Sequence, residues 1–207
     1  MKNILLIVDP QIDFISGSLA VEGADEKMLK LSKYIKEKCN EYDYIFLTGD
    51  SHPDNHCSFV ENGGIWPKHC VCESEGVCFY NKLINALLEF NNFHNLEIFD
   101  KGTNPDKEEY SIFQNELDGL KLANKIKNII ENDEDVFIDV CGIAGDYCVL
   151  ETIKGLTELI NNDHIYILEE FTASIDGGKK LLEYAENNDI NVIYNSKNNL
   201  NKYQFNN

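Results

Sequence analysis

KNILLIVDPQIDF (residues 2–14) carries five consecutive apolar residues, at positions 4–8, and then stops at Asp9. A strand that is apolar on both faces is buried on both, which is the mark of a parallel sheet covered by helices. Working outward, YIFLT (44–48), residues 96–99, VFIDV (136–140), residues 165–168 and residues 192–194 repeat this strand pattern. Helical spacing fills the intervals, as in residues 26–41 with Met28, Leu31, Tyr34 and Ile35, and again in residues 117–131, 149–160 and 179–188. Strands alternating with helices imply right-handed βαβ units. The reading is an α/β fold: a doubly wound, mostly parallel six-stranded sheet with helices on both faces. No repeat or linker divides the chain, so residues 1–207 are expected to form a single domain. Residues 49–95 break the alternation, with Gly63, Gly64, Pro67, four cysteines and a helical patch at 82–90. A connection that long inside a compact domain is usually functional.

The balance of 18 basic against 36 acidic residues gives a formal charge of −18. Such a surface repels phosphate backbones and anionic lipid, so neither nucleic acid nor membrane is the expected partner. No stretch has the length of a membrane span, and the first apolar run is too short for a secretory signal, so a cytoplasmic location is expected. Seven scattered cysteines make a poor disulfide framework, and reduced thiols are expected. Cys57, Cys70, Cys72 and Cys78 lack the paired spacing of a structural zinc site. The acidic run 133–135 reads as a solvated loop.

Ligands of open parallel sheets bind beyond the carboxyl ends of the strands. The residues there are Asp9, then Asp50 and His52, then Lys101, then Cys148 after a Gly-Ile-Ala-Gly turn. A thiol at a helix start gains from unpaired N–H groups and the helix dipole, a carboxylate can take its proton, and an ammonium favours both charged forms. Taken singly, Cys148 reads equally as a buried structural cysteine, Asp9 as a turn residue and Lys101 as a surface charge. Asp50 and His52, with His69 from the long excursion, form a two-imidazole, one-carboxylate set that leaves coordination positions open. His56 and Glu61 rank below these three as ligands, and His94 and His164 fall outside the site.

The segments IVDPQIDF, GSLAVEGAD, TGDSHPDNHCSF, GGIWPKHC, DKGTNPDKEEYSIF and VCGIAGDYCV resemble, in this order, those of the nicotinamidases among the isochorismatase-like cysteine hydrolases. The resemblance implies a Rossmann-like three-layer fold and a catalytic triad of Asp9, Lys101 and Cys148. It implies one divalent metal ion on Asp50, His52 and His69, with zinc expected and iron or manganese suited to the same ligands. It places Phe14, Trp66, Tyr110 and Tyr147 around a pyridine ring. It also puts a cis peptide between Ile143 and Ala144, aiming the Ala144 N–H at an oxyanion hole. The implied reaction is hydrolysis of a small molecule, nicotinamide, to nicotinic acid and ammonia through a Cys thioester, in NAD salvage, by a homo-oligomer. Pro10, Gly145 and the length of residues 71–95 depart from the family pattern, which puts in doubt the placing of Asp9 and one hydrogen bond beside the nucleophile. The alternatives are a sister amidohydrolase acting on an N-carbamoyl or ureido compound, and a non-catalytic metal-binding module.

Overall fold

The computed structural model describes residues 1–133 and 135–195. Six strands form one sheet: β1 (Lys2–Val8), β2 (Tyr44–Asp50), β3 (Leu96–Lys101), β4 (Val136–Ile143), β5 (Ile165–Ala173) and β6 (Asn191–Ile193). Their spatial order is β3-β2-β1-β4-β5-β6 and every pairing is parallel. The expected sheet is therefore present, and it is wholly parallel.

Alternation along β1 explains the layers. Leu5 and Ile7 enter a core shared with Met28, Leu31 and Ile35 of α2 (Ala24–Lys38) and with Leu83 and Leu87 of α3 (Asn81–Leu87). Ile4, Leu6 and Val8 enter the opposite core, with Leu122 and Ile126 of α4 (Asp118–Asn132), Ile153 of α5 (Leu150–Thr157) and Leu181 of α6 (Lys179–Asn187). A one-turn helix on the first face, Ile12–Ile15, follows β1 directly. α2 starts with Asp25 and Glu26 and ends with Lys36 and Lys38, which matches the helix dipole at both ends. It stops three residues short of the expected end, and Cys39–Glu41 form a 3₁₀ turn instead. Tyr194, expected in the last strand, lies in a bend, because pairing with β5 ends at Ile193.

The excursion after β2 has no ladder of its own, only isolated bridges such as His52 with Val71 and Gln11 with Phe79. Its far end is zipped to the start of the chain by Ile12 N–H on Cys78 O, Asp13 N–H on Gly76 O and Tyr80 N–H on Pro10 O. Residues 76–80 are thus a fixed buttress under the turn that carries Asp9. Within the acidic run 133–135, Glu134 lies outside the described residues. No helix among the described residues is long and apolar enough to cross a membrane.

Candidate active site and metal centre

The strand order reverses between β1 and β4, and the crevice beyond their carboxyl ends gathers the side chains singled out above. Asp9 follows β1 with a φ of 47°, held by its N–H on Thr48 O. Asp50 and Lys101 end β2 and β3 and are partners in register, so their side chains emerge side by side. Pro10 leaves Asp9 in place: its carbonyl is bonded by Tyr80, and the next residue, Gln11, grips Asp50 with both ends of its amide.

Lys101 is fully buried and its Nζ is the hub. It lies 2.9 Å from Asp9 Oδ2, 2.5 Å from Asp50 Oδ1 and 3.6 Å from Cys148 Sγ. Acceptor atoms of Asp9, Asp50 and Cys148 lie within 4.8 Å of one another, but the ammonium already fills the space between them, so this cluster is a proton and charge relay rather than a metal cage. Thr48 donates to Asp9 Oδ1 at 2.7 Å. Asp9 Oδ2 makes the ion pair with Lys101 without good hydrogen-bond alignment and accepts no other bond. It is the oxygen left to receive a proton.

Charge in this cluster is strongly biased. Burial opposes the Lys101 ammonium, yet Asp50 and Asp9 outweigh burial and hold its pKa well above the usual lysine range. Burial raises the Asp9 carboxyl, with Lys101 opposing and Asp50 adding to the rise. Burial also pushes the Cys148 thiol well up; Lys101 pulls it down, but Asp9 and Asp50 push with burial. The resting sulfur is therefore a thiol. An ammonium and a helix start suggested a thiolate; burial, with the two carboxylates adding to it, reverses that bias.

Cys148 lies in a π-helical turn, Gly145–Val149, in which Val149 N–H reaches Ala144 O, and α5 begins only at Leu150. Such single π turns are frequent at functional sites. The peptide between Ile143 and Ala144 is cis. A Cβ at Gly145 would overlap Ser174 Oγ, so the Ser174 hydroxyl fills the place a larger side chain would take.

Beside this relay, donor atoms of Asp50, His52 and His69 also lie within 4.8 Å of one another, all buried. His52 Nδ1 is 2.8 Å from Gly102 O, and His69 Nδ1 is 2.8 Å from Pro67 O. A carbonyl only accepts, so each Nδ1 carries the proton and each Nε2 keeps its lone pair, as in metal-ligating histidines. Burial keeps His69 neutral. Burial also acts against the His52 cation, but Asp50 raises its pKa overall, and an ion bound there takes the proton's place. Asp50 is held ionised well below the carboxylate range by Lys101 and His52, against burial. The set fits a divalent cation. His56 is not available to one: its Nδ1 accepts from Ser58 N–H and its Nε2 is bonded to Lys107 O, while its ring stacks on His52 at 4.1 Å. Glu61 is exposed and pairs with Lys68. No group of the excursion's cysteines meets at a second metal position among the described residues.

Gly102 tests the imidazole support. Its φ is +64°, and a Cβ there would overlap His52 Cε1. Gly102→Ala should displace His52 and weaken its Nδ1 bond, lowering metal affinity about 10–100-fold. Elemental analysis and zinc titration of the purified variant check this; wild-type affinity would refute it.

A narrow pocket opens over Cys148 and Ala144. Phe14, Trp66, Tyr110 and Tyr147 line it, so all five residues expected there are present. Trp66 meets Tyr147 edge-on at 5.0 Å and donates Nε1–H to Tyr110 OH at 3.1 Å, while Phe14 leans on His69 at 5.4 Å. The result is an aromatic box whose lining includes both the Cys148 thiol and the His69 imidazole. Sequence reading missed Leu19, Val21, Glu108 and Ile175 on its wall, and the supports Thr48, Gln11 and Glu109. Glu109, seven positions beyond Gly102, is buried and accepts Gly102 N–H.

No protein-family model matches the chain. Individual relatives do. A nicotinamidase/pyrazinamidase of Mycobacterium tuberculosis is 31% identical over 176 residues, covering 83% of this chain and 86% of that protein. The crystal structure of a pyrazinamidase of Pyrococcus horikoshii in complex with zinc superposes with a TM-score of 0.73 at 30% identity, covering 93% and 99% of the two chains. PnC1 from L. infantum, in complex with nicotinate, superposes with a TM-score of 0.77 at 27% identity, covering 93% and 92%.

Proposed function

The chain belongs to the nicotinamidase family, and from that membership and the site we propose that it hydrolyses nicotinamide to nicotinic acid and ammonia with Cys148 as nucleophile. The observation that carries the reading is a buried ammonium that contacts both a carboxylate and a thiol, with the thiol on the lining of an aromatic pocket. A relative bound to nicotinate supports the choice of ring.

Each residue has a role that follows from its surroundings. Asp9 Oδ2 takes the Cys148 proton, and the sulfur attacks the amide carbon. Backbone N–H groups of Ala144 and Cys148 steady the oxyanion. Asp9 returns the proton to departing ammonia, and water cleaves the thioester with Asp9 again as base. Lys101 opposes the rise that burial gives the Asp9 carboxyl, favouring its anion, and itself stays charged throughout. Trp66, Tyr110, Tyr147 and Phe14 hold the ring and exclude water. Asp50, His52 and His69 would hold a divalent ion, zinc in our reading given the zinc complex of a relative, and the ion supplies a Lewis acid for a ring nitrogen.

The test is steady-state ammonia release with identification of nicotinic acid, from nicotinamide and from a ureido compound such as N-carbamoylsarcosine. Turnover of nicotinamide that a chelator abolishes and zinc restores is expected. Turnover of the ureido compound alone, indifferent to chelation, would overturn the proposal.

A further inference from the structure

One residue of the pocket lining comes from outside the elements that carry the triad and the aromatic box. It comes from the loop between β5 and α6, whose Ile175 side chain lines the pocket although the residue is 52% exposed. An isoleucine that open has little core of its own to hold it. Its backbone is held instead. Asp146, buried in the π turn two residues before Cys148, accepts Ile175 N–H on Oδ1 at 2.9 Å. One residue either side, the fit continues: Ser174 Oγ fills the space left by the missing Cβ of Gly145, and Asp176 caps α6 by accepting Gly178, Lys179 and Lys180 N–H. The nucleophile turn and the Ile175 loop are thus joined side by side, through one buried carboxylate and one close approach.

We propose that Ile175 determines how large a ring substituent the pocket accepts, and that Asp146 is the positioning residue that holds it there. The inference rests on the aromatic-amide reading above. Ile175 joins Leu19 and Val21 among the aliphatic residues of the pocket lining, and none of the three side chains offers a hydrogen-bonding group to recognise a polar substituent. An apolar wall selects by volume, and one methyl group too many is worth roughly 10–200-fold in kcat/KM. Ring-methylated analogues of the amide substrate are therefore excluded by Ile175.

The experiment measures kcat/KM for nicotinamide and for its ring-methylated isomers in wild type, Ile175→Ala, Asp146→Ala, Asp146→Asn and the Ile175→Ala/Asp146→Ala double variant. Ile175→Ala should raise the ratio of at least one methylated isomer to nicotinamide about tenfold. Asp146→Ala should produce the same shift in ratio, and adding it to Ile175→Ala should add nothing, because both act through one side chain. Asparagine keeps the accepting oxygen, so Asp146→Asn should stay near the wild-type ratio. Unchanged ratios in Ile175→Ala overturn the specificity role. A uniform loss with every amide in Asp146→Ala, or a shift that adds to that of Ile175→Ala, overturns the positioning role. Wild-type turnover of nicotinamide separates these outcomes from a failure of the proposed activity itself.

Discussion

Replacing Cys148 by alanine is expected to abolish ammonia release from nicotinamide, by roughly 10⁴–10⁶-fold, the scale seen when a covalent nucleophile is removed. No other thiol is placed to substitute. Cys141 points into the opposite side of β4 and is buried in the α2 core, and Cys70 donates to Gly76 O. Ring binding should survive, because the aromatic box and the two histidines do not depend on sulfur. Calorimetric titration with nicotinate then reports near wild-type affinity beside a dead enzyme. Activity within tenfold of wild type would remove the thioester route altogether. The acid limb of the wild-type profile follows from the same geometry. Asp9 must be ionised to act as base, and burial places its pKa above the ordinary carboxylate range. The kcat/KM value should therefore fall as pH drops through that raised value, at a higher pH than an exposed aspartate would give.

The parts of this site differ in how well the chain announces them. Asp9, Asp50 and Cys148 are legible because each follows a buried apolar run, and Lys101 because it ends the neighbouring edge strand; a parallel sheet sends all such ends to one edge. The ends of the strands are less legible. β4 continues through Cys141-Gly142-Ile143 and β5 through Glu169 to Ala173, where the composition no longer looks like a strand. What extends them is pairing with each other across a register shift between Val140 and Gly142, a tertiary fact that no local window contains. The π turn at Cys148 hides for a similar reason: a 3.6-residue pattern starting at Val149 is one residue out of phase with a turn closed from Ala144 to Val149. Ile175 is silent in sequence because an isoleucine after Thr-Ala-Ser in a turn reads as an exposed apolar residue. The Asp146 bond, invisible to any local window, ties its backbone to the nucleophile turn.

Lys101→Met should cost both activity and stability, and the stability loss is the more informative. Methionine keeps the volume and removes the charge, leaving Asp9 and Asp50 buried with no cation between them. Breaking a buried ion pair from one side typically costs about 3–5 kcal/mol, because the remaining charge is uncompensated. Here two remain, so the unfolding free energy from urea titration should fall by at least that much at neutral pH, and the midpoint with it. The sign with pH follows from proton binding. In the variant both carboxyls favour their neutral forms in the folded state, so the native state binds more protons than the unfolded one and stability recovers as the solution is acidified toward the carboxylate range. In the wild-type protein Lys101 holds Asp50 depressed, and that contribution instead fades on acidification. Adding Asp9→Asn to Lys101→Met removes one of the stranded charges and should restore part of the midpoint, a coupling of opposite sense to two independent losses. A Lys101→Met protein as stable as wild type, with no recovery on acidification or in the double variant, would mean that the ammonium is not what makes the burial of Asp9 and Asp50 tolerable.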